Sequence, residues 1–257
     1  MNQSNPLLSF HQLSVITNDK TLLQNATGKL NAGDKITLIG RSGSGKSVLL
    51  STLANLMPHQ QGNIYYRGQN INDIPPATYH AKVGLIGQTP AILDGTVLDN
   101  LSLPFSFAYH NTQKADTNWY IDKLAQFGKS ADFLAQSAQD LSGGERQIVN
   151  FLRVLQLNPS ILLLDEPTAA LDPQTAQALV ALVLQWQSSQ APAENPTQNP
   201  AETPTQNQDT PAFIWITHTP EQTHELGAKQ WHMDNGVLSS DTHHTQTHHT
   251  QIAESSV

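Results

Sequence analysis

The stretch Gly40-Arg41-Ser42-Gly43-Ser44-Gly45-Lys46-Ser47 restricts the fold of this chain more than any other feature. It follows a short apolar run, Lys35 to Gly40 (KITLIG), and opens a helix-like segment, Ser47 to Met57, that stops at Pro58. A strand that turns tightly into a helix aims its free backbone N–H groups at one point, at the positive end of the helix dipole. Glycines let that backbone wrap closely around an anion. Lys46 adds a point charge suited to β- and γ-phosphates, and the Ser47 hydroxyl is a ligand suited to a divalent cation. A glycine-rich turn without a ligand is the simpler alternative. The placement between strand and helix favours a phosphate cradle built from all of Gly40 to Ser47.

The rest of the chain supports an α/β reading. Lys82 to Gln88 (KVGLIGQ), Ser160 to Asp165 (SILLLD) and Ala212 to His218 (AFIWITH) are short apolar runs with polar ends, as expected for strands buried on both faces of a parallel sheet. Leu7 to Val15 reads as one or two strands at the N-terminal edge, and Asn63 to Gly68 as a strand and turn. Asp172 and Pro173 form an N-cap and first-turn proline for a helix through about Trp186. Lys229 to Leu238, with Asn235-Gly236 inside, reads as a closing hairpin. Strands alternating with helices imply a layered α/β domain over residues 1–240.

Two segments stand outside this pattern. From Ser188 to Pro211, prolines recur at 192, 196, 200 and 204 among Gln, Asn, Thr and Ala. Proline at that spacing cannot sustain a helix, so a disordered insertion is expected. From Asp241 the chain is a His-rich tail in which His243-His244 and His248-His249 match no closed metal site; a flexible, solvated segment is expected. Charge and composition exclude several functions. With 13 Lys+Arg against 21 Asp+Glu, the net charge is −8 and no basic stripe is available for nucleic acid. There is no cysteine, hence no disulfide or thiolate chemistry. No apolar run approaches the roughly 18 residues of a membrane span, and the N-terminus lacks a signal-peptide pattern, so a cytoplasmic location is expected.

Ile161 to Glu166 carries the second chemical motif. An apolar strand delivers Asp165 to its C-terminal end, where α/β sheets bind ligands. Asp165 is placed to hold a divalent cation through water, and Glu166 to polarise an attacking water. A strand ending in a helix-capping acidic pair is the alternative, and the phosphate loop weighs against it. Leu141-Ser142-Gly143-Gly144-Glu145 is weaker alone, since Ser-Gly-Gly also reads as a turn or an N-cap.

Taken in order, the Gly40–Ser47 loop, Gln88, Leu141–Glu145, Ile161–Glu166, Ala170-Leu171-Asp172 and His218 resemble the ATP-binding subunits of ABC transporters. The resemblance runs from about Leu7 to Leu238 and leaves out the proline-rich insertion. It implies a P-loop ATPase core with a parallel sheet, an N-terminal antiparallel β edge, and an inserted helical subdomain at about 89–140 that docks on a membrane partner. It implies ATP and Mg²⁺ as cofactors, with Ser47, Gln88 and Asp165 near the metal. Glu166, Gln88 and His218 would serve hydrolysis. Ser142, Gly143 and Gly144 would face the ATP of a second copy, giving an ATP-dependent homodimer with Asp172 at its seam. The partner would be a separate transmembrane permease, and no nucleic acid is involved. Gly87 to Pro90, Gly95 to Leu101 with Pro104-Phe105, and Leu155-Gln156 after Arg153 most resemble the FetA type, from bacterial iron-export transporters. A soluble ABC ATPase is the alternative. Translation-type members usually fuse two such domains, and repair-type members insert a long coiled coil; Val48 to Asp140 has no such heptad run. Two departures stand out. Many relatives stack adenine on an aromatic residue upstream of the phosphate loop; here that position lies near Ile16 and Thr17, with Phe10 as a possible substitute. The signature helix usually continues Gln-Arg, whereas here Gln147 precedes Ile148.

Overall fold

A computed structural model of the chain describes residues 5–18, 20–110, 112–189, 210–218 and 220–240. In chain order its strands are β1 (Leu8–Thr17), β2 (Lys20–Leu30), β3 (Lys35–Ile39), β4 (Gln61–Tyr66), β5 (Gln69–Asn70), β6 (Val83–Ile86), β7 (Ile161–Asp165), β8 (Ala212–Ile216), β9 (Lys229–Asp234) and β10 (Val237–Ser240). The helices are α1 (Lys46–Leu53), α2 (Pro76–His80), α3 (Val97–Ser102), α4 (Thr117–Ala125), α5 (Gly143–Leu155), α6 (Pro173–Ser189) and α7 (Pro220–Leu226).

The strands fall into two sheets. The larger has the order β10-β9-β3-β8-β7-β6 and is parallel apart from β10, which returns from β9 as a hairpin. Parallel pairing explains the unbroken apolar runs, because both faces of such a sheet are covered. In β7, Ile161 and Leu163 join one core while Leu162 and Leu164 join the other. In β8, Ile214 and Ile216 face the first core, and Phe213 and Trp215 the second. The first core is closed by α1, through Leu49, Leu50 and Leu53, and by the smaller sheet. The second is closed by α5 and α6 through Ile148, Phe151, Leu152, Leu179, Val183 and Trp186.

The smaller sheet is antiparallel, in the order β2-β1-β4-β5. The expected N-terminal β edge is therefore a separate sheet. Its strand β2 contains Asn25 at φ 50° and few alternating apolar positions, which is why Lys20–Leu30 does not announce itself in the sequence. Two other expectations shift. The helix expected to reach Met57 ends at Leu53, capped by Ala54, and the chain turns at Asn55 with φ 58°. The insertion expected over 188–211 is narrower, since α6 continues to Ser189 and Gly33 N–H donates to the Thr210 carbonyl at 3.0 Å. Gln187 Nε2 holds the carbonyls of both Gly33 and Pro211 at 3.1 Å. The remaining residues of the insertion, 190–209, and the His-rich tail, 241–257, lie outside the described residues.

Residues 89–140 form a layer of short pieces, namely α3, α4 and single turns of 3-10 helix. Thr96 and Asp99 cap α3 reciprocally. Tyr120 of α4 anchors this layer on α5. Its hydroxyl donates to Gln156 Oε1 at 2.6 Å, and Gln156 Nε2 donates to the Leu101 carbonyl at 2.6 Å. Tyr120 is fully buried, and burial pushes its phenol up to about 12. Of the aromatic residues here, Phe107 and Tyr109 stay largely exposed, so they are not part of a local core.

Candidate nucleotide site

Sheet order brings the chemistry to one end. β3, β6, β7 and β8 run in the same direction, so their C-terminal ends release Gly40, Gly87-Gln88, Asp165-Glu166 and Thr217-His218 side by side. The phosphate loop leaves from β3, inside the sheet. Gly40, Gly43 and Gly45 sit at φ 154°, 74° and 109°, and Gly45 is the N-cap of α1. A Cβ on Gly40 would lie 2.1 Å from the Met233 carbonyl, and one on Gly45 2.7 Å from the Leu22 carbonyl. The Asn235-Gly236 turn between β9 and β10 props the loop from below, with Gly236 N–H donating to the Ser44 carbonyl at 2.8 Å. Beside the loop opens a cleft of about 470 Å³, lined by Lys20, Thr21, Leu22, Ser42, Gly43, Gly45, Lys46, Ser47, Gln88, Glu166 and Gly236 among others. That volume suits a small charged ligand.

Lys46 is 5% exposed, and its ammonium donates to the carbonyls of Gly40 at 2.8 Å and Arg41 at 3.0 Å. Burial lowers its pKa, against the pull of Glu166 and Asp165, which raise it. Asp165 is buried, and burial raises its carboxyl pKa; a hydrogen bond from Ser47 works the other way. Its Oδ1 atom has no hydrogen-bond partner, and neither does Ser44 Oγ. Buried polar atoms are nearly always satisfied, so these orphans beside a glycine cradle mark a place built for a polar guest. The donor set there, a carboxylate oxygen and a serine hydroxyl, suits a hard, oxygen-loving cation such as Mg²⁺.

Glu166 adopts φ 49°, unusual for a residue with a Cβ. Such a backbone persists only where its surroundings fix it. Both carboxylate oxygens are held: Oε1 lies 2.8 Å from His218 Nε2, and Oε2 accepts from Gln88 Nε2 at 3.2 Å. The structure thus gathers Glu166, His218 and Gln88, which are far apart in sequence, into one cluster beside the phosphate loop.

Ser142, Gly143 and Gly144 are not part of that cluster. Ser142 is the N-cap of α5 and forms a capping box with Glu145. Nothing lies within 4 Å of where a Cβ on Gly143 would point, while Gly144 packs against Ala170 and Leu171. Asp172 caps α6, accepting from the N–H groups of Gln174 and Thr175 at 3.1 Å. The signature turn therefore faces open space and lies against the loop that follows Glu166.

Sequence reasoning missed Gln222. Its Oε1 accepts from Thr217 Oγ1 at 2.6 Å, and its Nε2 donates to Thr168 Oγ1 at 2.8 Å. It ties the strand end that carries His218 to the loop that carries Glu166. A polar residue one helical turn beyond His218 was the only signal available for it.

The family described as "ABC transporter" matches residues 23–169. The chain belongs to this family. It is 34% identical over 172 residues to the "Probable iron export ATP-binding protein FetA" of Escherichia coli (strain K12), covering 67% of this chain and 75% of that one. It is also 34% identical over 173 residues to the "Methionine import ATP-binding protein MetN" of Bartonella henselae, covering 65% of this chain and 49% of that one. A solved ATP-binding subunit of an ABC transporter shares the fold with TM-score 0.74, at 21% identity, over 91% of this chain and 90% of that one. As a member of this family the chain is an ABC ATPase, with ATP and Mg²⁺ as its cofactors. No helix among the described residues is long and apolar enough to cross a membrane.

For this ABC protein the structure corrects one expected contact. Phe10 cannot stack on adenine: it is fully buried, and its ring meets the edge of Trp231 with centroids 5.8 Å apart. Ile16, by contrast, is 43% exposed near the expected position. Phe10→Ala is therefore expected to lower stability by about 3–5 kcal/mol and to leave ATP affinity unchanged in the folded fraction. Denaturant unfolding and nucleotide titration of the same sample check both halves.

Proposed function

We propose that this chain is the energy-supplying subunit of a metal-exporting ABC transporter. In this reading it works on the cytoplasmic face of the membrane through a separate permease chain. The supporting observation is the clamp on Glu166, whose two oxygens are held by His218 and Gln88 beside the phosphate loop. Gly40 to Ser47 bind the phosphates of ATP, with the backbone N–H groups and Lys46 supplying positive charge. Ser47, Gln88 and Asp165 hold Mg²⁺, which when bound neutralises phosphate charge. Glu166 accepts the proton of the attacking water, and His218 fixes its carboxylate and reaches the terminal phosphate. Gln88 links this cluster to the layer at 89–140, which serves as the docking subdomain for the permease. Ser142, Gly143 and Gly144 close over the nucleotide of a second copy in a head-to-tail dimer, with Asp172 at the seam.

The metal cargo is supported by the FetA resemblance, while the MetN resemblance points to import of an amino acid. The deciding experiment expresses the chain with the membrane protein encoded beside it. Inverted vesicles should take up ferrous iron only with ATP, and the vesicle-bound ATPase should rise with iron. Membrane association with no metal-dependent flux overturns the cargo. No association at all overturns the transporter role.

A further inference from the structure

Glu145 in the signature turn is an anion placed next to a surface that the proposed dimer must offer to another anion. Its Oε2 accepts from Ser142 N–H at 2.9 Å and from Ser142 Oγ at 2.8 Å, and Ser142 Oγ in turn accepts from Glu145 N–H at 3.3 Å. The serine hydroxyl proton is thus committed to a carboxylate. A polyphosphate arriving at Ser142 and Gly143 would compete for that proton and meet a negative charge one hydrogen bond further on. Like charges at such a distance oppose association.

The structure contains a counter-charge. Lys129, in the loop after α4, places its ammonium 2.5 Å from Glu145 Oε1, with both side chains only about a quarter exposed. The backbone N–H of Lys129 donates to the Leu124 carbonyl at 3.1 Å, and its ammonium sits 5.2 Å from the ring centre of Phe133, so its position is held from two sides. The bond from Lys129, followed by those from Ser142, lowers the Glu145 pKa to about 2, so the carboxylate is ionised throughout the neutral range. Lys129 and Glu145 come from different elements, 16 residues apart, and no motif links them.

We propose that Lys129 is a positioning residue for the signature turn: its ammonium cancels the charge of Glu145 and takes over that carboxylate when the Ser142 hydroxyl turns to the polyphosphate of a nucleotide bound to a second copy of the chain. The inference rests on the head-to-tail dimer of the proposed function. It also gives the layer at 89–140, from which Lys129 projects, a direct grip on the surface that closes the dimer.

The test uses the full chain carrying Glu166→Gln, so that hydrolysis does not empty the dimer, and reads the dimer dissociation constant with Mg²⁺ and ATP by analytical ultracentrifugation. Adding Lys129→Met should weaken the dimer at least tenfold. Adding Glu145→Gln to that variant should restore it to within about threefold, because the uncompensated charge is gone. Lys129→Arg should dimerise like the parent. The Lys129→Met defect should also shrink with added salt, since screening weakens repulsion; loss of a purely structural contact would not behave this way. Circular dichroism and melting curves confirm that each variant is folded. If the parent dimerises but Lys129→Met dimerises equally well, or if Glu145→Gln fails to rescue, the proposal falls and the dimer reading stands. If the parent never dimerises with ATP, the dimer reading falls and takes the proposal with it.

Discussion

Glu166→Gln should bind Mg²⁺ and ATP about as well as the parent and hydrolyse it between a hundred and ten thousand times more slowly, the usual worth of a positioned general base. The substitution keeps the size of the side chain and most of its contacts. The amide oxygen still accepts from Gln88 Nε2, and the amide nitrogen can donate to His218 Nε2. The loop that holds residue 166 at φ 49° is fixed by its surroundings and should not move. Only the ability to take a proton is lost, and each tenfold in rate corresponds to about 1.4 kcal/mol of barrier. Phosphate release under saturating ATP measures turnover, and sedimentation with ATP shows the dimer accumulating. A variant that turns over within threefold of the parent would remove Glu166 from the base role.

Lys46→Ala should abolish useful nucleotide binding, raising the ATP dissociation constant at least about a hundredfold, or about 2.7 kcal/mol. A charge-assisted hydrogen bond is worth about 1.5–3 kcal/mol, and Lys46 is the cation buried in the phosphate loop. Without it Asp165 and Glu166 face the incoming polyphosphate with no positive charge between them. The fold should survive. The loop is also held by the Gly236 to Ser44 bond and by the turn at Gly45, and loss of the two carbonyl bonds is offset by removal of a desolvated charge. Calorimetric titration with ATP and a thermal melt check the two halves. Binding within threefold of the parent, or an unfolded chain, contradicts this account.

The site was legible where chemistry forces a local pattern. A phosphate cradle needs glycines and a lysine within eight consecutive residues, Gly40 to Ser47, and the structure puts them at the start of α1. The strands that carry Asp165 and His218 were legible because strands covered on both faces must be apolar throughout, as β7 and β8 are. Less could be read where a function depends on contacts between distant segments. Phe10 looked available to a nucleobase, but its partner Trp231 lies more than two hundred residues away. The bond from Gln222 to Thr168 and the ion pair of Lys129 with Glu145 join distant segments, and no spacing rule points to either. The strand β2 was missed because its side chains do not alternate cleanly, and α1 was overextended because Asn55 adopts positive φ without a glycine to mark it.

The props beneath the phosphate loop also bear on how the chain is made. β3 pairs with β8 and β9, whose residues are synthesised about 180 to 190 positions later, and the Ser44 carbonyl is bonded by Gly236. On the ribosome, the loop at 40–47 emerges early but lacks the strands β8 and β9 beside β3, and the Gly236 bond to Ser44, until the closing hairpin has left the exit tunnel. Contacts so distant in sequence form slowly, because a long loop must close before they contribute. A nascent chain stopped before about residue 236 should therefore carry the whole phosphate motif and still be unable to hold a nucleotide. Competence to bind ATP is thus expected to arrive in one late step, and unfinished chains are expected neither to sequester ATP nor to offer a half-formed subunit for assembly.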